Sequence, residues 1–324
     1  MPLGVKEVIL DFIRDQLDGN AWEHYCDEVY RDRYKDQNYI KIPASHGGDG
    51  GIEGFTHTGI VYQSYCPEKN YSDQELYEHV RDKVTRDINK LIDTGYSKKL
   101  KSLGVHKIKE WHFVTPEYKD SRLVEHLEKK RKEVLAAMHA DQETFSYIDP
   151  NIILVPKVAE DFKAEFARLI RNPLVDLKLN AAVMNTGEID WTDCPADKIN
   201  NLKRKLIAIM KTDENDCDYK KMVSFWAEAY LTGIEIMRIL QGSCGTIYEN
   251  LFALEQQYRK EVSMQSSMRS DHSINNEVFT QVLENFGDAI RRNITCFSEE
   301  TVMELKRDLV GGWLADCSLD FKAE

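Results

Sequence analysis

The chain has 324 residues, 42% hydrophobic and 30% charged, with a formal net charge of −12, long enough for one large or two ordinary domains that each bury a core. The acidic balance excludes a protein that coats nucleic acid by bulk electrostatics, and no apolar run approaches the ~20 residues that cross a bilayer. Seven cysteines, at 26, 66, 194, 217, 244, 296 and 317, are widely spaced without any Cys-x-x-Cys and read as reduced core thiols, not as a disulfide framework or zinc knuckle.

The first residues, Met1-Pro2-Leu3-Gly4-Val5-Lys6-Glu7, lack the apolar core and cleavage pattern of a signal peptide, so a cytoplasmic location is expected. Helical spacing runs from Val5 to Leu17 and again through Trp22, Cys26, Val29 and Tyr30, and Tyr39 to Ala44 reads as a strand. A glycine-rich stretch, His46-Gly47-Gly48-Asp49-Gly50-Gly51-Ile52-Glu53-Gly54, leads through a hairpin around Thr56-His57-Thr58-Gly59 into a second strand, Ile60-Val61-Tyr62-Gln63-Ser64-Tyr65. Its glycines permit positive φ and leave room beside the carboxylates for a bulky phosphate. On the second strand Gln63 and Tyr65 share one face and Tyr62 and Ser64 the other. Asp49 has two readings: a metal ligand, or a turn residue bonding its own backbone.

Ser72 to Ile92 opens with a Ser-x-x-Glu capping box (Ser72, Glu75) and reads as an amphipathic helix with Leu76, Val80, Val84, Ile88 and Leu91 on its apolar stripe. Lys83 and Asp87 fall within or at the margin of that stripe. Either they form an i,i+4 ion pair, or Lys83 reaches over the sheet toward Glu53 and Gln63. A strand at Glu110–Val114 with a Pro116 stop, a helix from Ser121 to Ala140 and a buried-type strand at Ile152–Pro156 follow. This order of helix, strand, hairpin, helix, strand, helix, strand describes an α/β layer.

The glycine-rich segment, acid, hairpin and polar strand end resemble the PD-(D/E)XK restriction-endonuclease-like superfamily, in particular its Mrr-type branch. The resemblance implies a restriction-endonuclease-like mixed sheet flanked by helices over residues 1–175 and a metal-dependent deoxyribonuclease activity. Glu53 stands at the first acid of that pattern and Gln63 at the second position, while Tyr65 falls where the family carries lysine. Lys83 is the candidate for a relocated lysine that stabilises developing negative charge. Asp49, Glu53 and Gln63 would hold Mg²⁺ or Mn²⁺ through hard oxygen ligands, joined by Glu23, which resembles the helix acid of several branches and otherwise reads as a solvent-facing acid.

Beyond Pro173 the spacing is helical throughout, at Pro195–Lys211, Tyr219–Leu240, Thr246–Met264, Asn275–Ile290 and Ser298–Leu314, so residues 180–324 are expected to form an all-α domain. Residues 1–180 carry 27 basic against 31 acidic residues and 181–324 carry 16 against 24, which directs any DNA contact to the first half, at Lys98–Lys101 or Lys129–Lys132. Tyr230, Tyr248, Phe252 and Tyr258, at helical spacing, read as core. The ending Leu309-Val310-Gly311-Gly312-Trp313-Leu314-Ala315-Asp316-Cys317-Ser318-Leu319-Asp320-Phe321 resembles the Gly-x-Trp-Leu-x-x-Cys-Pro-Leu-x-Phe C-terminus of accessory proteins in bacterial ABC three-component defence systems such as Lamassu. That resemblance implies an SMC-like ABC ATPase and a small accessory subunit as partners, with the helical domain docking on the ATPase; a homo-oligomer formed through that domain is a separate expectation left open. The alternative for this ending is a Trp-anchored helix packing on its own domain.

The expected function is therefore a DNA endonuclease effector of an antiphage complex. Two others stay open: a catalytically degenerate nuclease fold that senses DNA, and a scaffold built on the acidic helical half.

Overall fold

The computed structural model describes residues 9–43, 50–69, 71–172, 174–181, 194–268, 271–316 and 319–322. The chain forms two compact units, Arg14–Leu169 and a second that runs from Ile170 onward and takes in the residues up to Ile13. Helix α1 (Ile9–Ile13) therefore belongs with the helical unit, although the sequence grouped it with residues 1–175; its Phe12 carbonyl accepts from the Asn180 amide at 2.8 Å. Five residues cannot hold a helix alone, so α1 settles where its four apolar side chains are covered.

The first unit runs α2 (Gly19–Arg33), β1 (Ile40–Lys41), β2 (Gly54–Phe55), β3 (Ile60–Ser64), α3 (Asp73–Leu91), α4 (Thr94–Ser102), β4 (Ile108–Val114), α5 (Arg122–Ala140), β5 (Ile148–Lys157) and α6 (Lys163–Arg171), the last crossing into the second unit. Its five strands lie in chain order in one mixed sheet: β1, β2 and β3 antiparallel, β3, β4 and β5 parallel. A tight hairpin suffices for the antiparallel step, whereas each parallel step needs a crossover, supplied by α3 with α4 and then by α5. Pro150 and Pro156 sit in β5, an edge strand, where a missing N–H is tolerated. The capping box at Ser72 and Glu75 is formed and α3 follows it. Helices α4 and α6 are additional to the expected order. At nine residues each they are too short for periodicity to stand out.

Strand alternation sorts the sheet into two faces. Val61, Trp111 and Phe113 join Val80, Val84 and Ile88 of α3 and Leu127 of α5 in one buried cluster. On the opposite face Tyr62 stacks on Tyr30 of α2 at 4.0 Å, and Trp22 donates through Nε1 to the Val114 carbonyl at 3.2 Å.

The second unit contains α7 (Ala196–Met210), α8 (Cys217–Ser243), α9 (Gly245–Met268), α10 (Asn275–Asn293) and α11 (Glu299–Ala315). Helices α8 and α11 approach closely because glycines face the contact: a Cβ at Gly233 would lie 2.7 Å from the Asp308 carbonyl oxygen and one at Gly311 3.1 Å from the Tyr230 nitrogen. Among the described residues of this unit the β pairing is one isolated parallel bridge, Leu179 with Phe297. Trp313 is buried, its ring 4.7 Å from that of Phe286 and its Nε1 donating to Glu255 Oε1 at 2.5 Å. The tryptophan of the C-terminal motif thus anchors α11 within its own unit; Cys317 and Ser318 lie outside the described residues. Among the described residues no helix is long and apolar enough to cross a membrane.

Candidate functional site

Residues 44–49 lie outside the described residues, and with them Asp49. From Gly50 onward the glycines have an identifiable purpose. Gly51 has φ +81°, and a Cβ there would fall 2.2 Å from the Asp87 carbonyl oxygen of α3. A Cβ at Gly54 would meet the Tyr39 hydroxyl at 2.6 Å. The space at these two glycines is filled by the protein's own atoms: they let the loop lie against α3 and Tyr39, where the sequence pattern suggested room for phosphate.

Gly54 pairs with Tyr62, yet the Glu53 amide also donates to the Tyr62 carbonyl at 2.8 Å. Two residues thus oppose one, a β-bulge that re-aims the Glu53 side chain at the end of the sheet. Its carboxylate accepts from Gln63 Nε2 at 2.6 Å and from the Ser64 amide at 3.1 Å. Glu53 and Gln63 are brought together, both buried, and Gln63 Oε1 has no hydrogen-bond partner. Burial pushes the Glu53 carboxyl up to about 8; the Ser64 hydrogen bonds and the Lys83 charge oppose that rise and the Glu23 charge adds to it.

Glu23, on α2, is half-exposed, with Lys41 Nζ 3.8 Å from its carboxylate. Lys83 Nζ lies 2.9 Å from Asp87 Oδ2, and Lys90 Nζ 3.3 Å from Asp87 Oδ1, so the fully buried Asp87 is held between two lysines. Lys83 therefore makes the i,i+4 pair and also acts on Glu53 through its charge. Tyr65 stacks on Phe113 at 6.2 Å, and burial raises its hydroxyl above the ordinary tyrosine value, so it stays a neutral phenol at neutral pH.

A polar cluster on α2 escaped the sequence analysis. Asp27 accepts from the Tyr39 hydroxyl at 2.6 Å, which lies 3.0 Å from the Tyr62 hydroxyl, and Lys41 Nζ is 3.7 Å from Asp27. Beside it, Tyr30 Oη meets His112 Nδ1 at 2.8 Å and His112 Nε2 meets Glu110 at 2.9 Å. Burial raises the Cys26 thiol, with the Glu53 charge adding to the rise. Glu23, Cys26, Asp27 and Tyr30 follow the i, i+3, i+4, i+7 spacing of one helical face, a signal present in the sequence from which the cluster could have been found. A cavity of about 530 Å³ opens where the chain leaves β3 and β4, lined by Cys66, Pro116, Arg14, Lys69, Lys119 and Glu117. Open α/β sheets place ligands at the carboxyl ends of parallel strands, and Ser64, which binds Glu53, is the last residue of β3.

Among the described residues one trio of acidic or thiol ligands lies within 4.8 Å, Asp216, Cys217 and Asp218 at the exposed start of α8. Asp216 there caps the amides of Asp218 and Tyr219, a complete structural role. Comparison with protein-family profiles, with curated proteins and with solved structures gives no match.

The Glu53 carboxyl makes stability pH-dependent, and the sign follows from its direction. With a folded value of about 8 against an ordinary 4.5, the folded state holds a proton that the unfolded chain has released, so stability is greatest below the unfolded value and falls as pH rises toward the folded one. Urea unfolding at about pH 5 and about pH 8 is expected to show wild type losing stability relative to Glu53→Gln, at ~1.4 kcal/mol for each pH unit crossed between those two values. Parallel pH dependence of the two proteins would mean that Glu53 is ionised throughout.

Proposed function

We propose that the chain is a metal-dependent DNA endonuclease with a restriction-endonuclease-like sheet, and the effector of an antiphage complex governed by an SMC-like ABC ATPase and a small accessory subunit. The observation supporting this reading is the Glu53–Gln63 pair: a buried carboxyl beside a buried amide oxygen that has no donor, at the end of β3. An oxygen-only donor set of this kind fits a hard divalent cation. Glu53, Gln63 Oε1 and Glu23 would hold Mg²⁺ or Mn²⁺, with Asp49 as the further candidate. The bound ion would polarise the scissile phosphate and lower the pKa of its water.

The residues of the chain carry the remaining functions. The Ser64 amide and Gln63 orient the Glu53 carboxylate, and ligand binding there releases the proton that burial retains. Metal affinity is therefore expected to rise with pH through about 8. Lys83, positioned by Asp87, supplies positive charge toward the phosphate as negative charge develops.

Plasmid DNA incubated with Mg²⁺ or Mn²⁺, and with chelator as control, tests the proposal. Cleavage that requires the ion supports it; DNA binding without cleavage under either ion assigns the chain to a sensor, and neither assigns it to a scaffold. Lys83→Met is expected to lower cleavage about a hundredfold and to destabilise α3 by leaving Asp87 with Lys90 alone. Adding Asp87→Asn should return much of the stability and none of the activity. Recovery of both together would reduce Lys83 to an ion-pair partner.

A further inference from the structure

One flank of α3 carries His79, Lys83, Arg86 and Lys90, whose three- and four-residue steps place them on one line along the helix, roughly 16 Å long at ~1.5 Å per residue. His79 and Arg86 are exposed, Lys83 and Lys90 half-buried at the margin of the apolar stripe. Across from this line stand the residues that follow β3. The Tyr71 ring lies 4.2 Å from that of His79. Burial raises the Tyr65 hydroxyl and the nearby Arg86 charge opposes that rise, as Lys83 does for Glu53. Tyr65 and Tyr71 are partly buried, each ring packed on the core beneath α3 and partly open to solvent.

Three cations on this flank, Lys83, Arg86 and Lys90, face one acid, the buried Asp87 held by the two lysines. The other acids from the start of α3 to its middle have their own partners: Glu75 takes Ser72, Glu78 takes Gln74, Asp82 takes Arg81 and Asp73 takes Lys119. Arg86 and Lys69 make no hydrogen bond or ion pair with a described residue, and Lys69 lies 5.3 Å from the centre of the Tyr71 ring. Lys69 and Tyr71 also line the cavity of about 530 Å³ at the ends of β3 and β4, where Arg14, Lys69 and Lys119 stand against Glu68 and Glu117. The lysine runs favoured by the sequence are less available: Lys101 donates to the Glu143 carbonyl, and Lys130 is buried against Glu133. Cations with aromatic rings between them suit a strand of phosphates whose bases are accessible. In a duplex the faces of the bases are stacked on one another, so a protein ring reaches only an unpaired base.

We propose that this flank of α3 binds an unpaired DNA strand, with phosphates along Lys83, Arg86 and Lys90 and bases on Tyr71 and His79, so that the strand passes Glu53. This rests on the endonuclease proposal and specifies its substrate as single-stranded DNA.

Fluorescence anisotropy on the full chain, in chelator so that nothing is cleaved, uses a labelled oligothymidylate of about 20 nucleotides, longer than the ~4–16 of common single-strand sites, with a DNA duplex and an oligouridylate of equal length beside it. The oligothymidylate is expected to bind about tenfold or more tighter than the duplex. Arg86→Gln, at an exposed position, should weaken binding and reduce the log–log salt slope by about 0.7, the share of one phosphate of a single strand. Tyr71→Leu keeps an apolar side chain on the core and should weaken binding about tenfold, the scale of one lost base stack, whereas Tyr71→Phe keeps the ring and should bind as wild type. Equal or tighter binding of the duplex, tighter binding of the oligouridylate, no binding of the oligothymidylate, or affinity and salt slope unchanged in Arg86→Gln would overturn the proposal. Ion-dependent cleavage of a duplex in those cases leaves the endonuclease standing, while single-strand preference without cleavage under either ion removes the endonuclease and leaves the strand-binding flank.

Discussion

Glu53→Gln is expected to lower Mg²⁺- or Mn²⁺-dependent DNA cleavage by about a hundredfold or more while the protein stays folded. Glutamine is the informative replacement because Glu53 is buried and accepts two hydrogen bonds. Alanine would strand the Ser64 amide and the Gln63 amide group, at roughly 1–3 kcal/mol for each unsatisfied buried group, and lost activity could then reflect lost structure. The new amide keeps an oxygen for the Ser64 N–H, and Gln63, rotated about its last torsion, can present its unpartnered oxygen to the new amide nitrogen. Cleavage rates together with a urea unfolding curve for the same variant measure both halves. Wild-type cleavage by folded Glu53→Gln would remove Glu53 from the metal site and place the cleavage chemistry at other residues of the chain.

Trp313→Ala is expected to destabilise the helical unit by about 3–5 kcal/mol, the range for deleting a buried aromatic side chain. The variant loses the indole packed on Phe286 and leaves the buried Glu255 Oε1 without its donor. Trp313→Phe should retain much of the ring packing and cost distinctly less. Circular dichroism during urea unfolding measures both, and a change below about 1 kcal/mol in the alanine variant would contradict the burial described for Trp313. Weakened partner binding in Trp313→Ala follows from this instability and by itself does not place the partner on α11. A fragment beginning near residue 180 also lacks Ile9, Leu10, Phe12 and Ile13, buried residues of the same unit, so the proposed partner binding of the helical unit is best examined in the full chain.

Local pattern carried much of the architecture. The capping box at Ser72, the apolar stripe of α3, the hairpin before Ile60 and the helical run after residue 195 are each specified by residues within a few turns of one another, and each formed where the sequence pattern placed it. The close spacing of Glu53 and Gln63 was legible for the same reason: a hairpin sets which residues of its two strands meet. What the sequence left undecided depends on residues far apart in the chain. Whether Lys83 serves Asp87 or Glu53 turns on how α3 lies across the sheet, and there it touches the first and acts electrostatically on the second. The elevated carboxyl of Glu53 arises from burial, which no spacing encodes. Gly51 and Gly54 read as clearance for a ligand until α3 and Tyr39 were seen to occupy it. Tyr230, Tyr248 and Phe252 read as core but line an open groove between α8, α9 and α11, because helical periodicity reports which side of a helix is apolar and not whether another helix covers that side. Coverage is a property of packing between distant segments, and it decided both the environment of Glu53 and the exposure of Phe252.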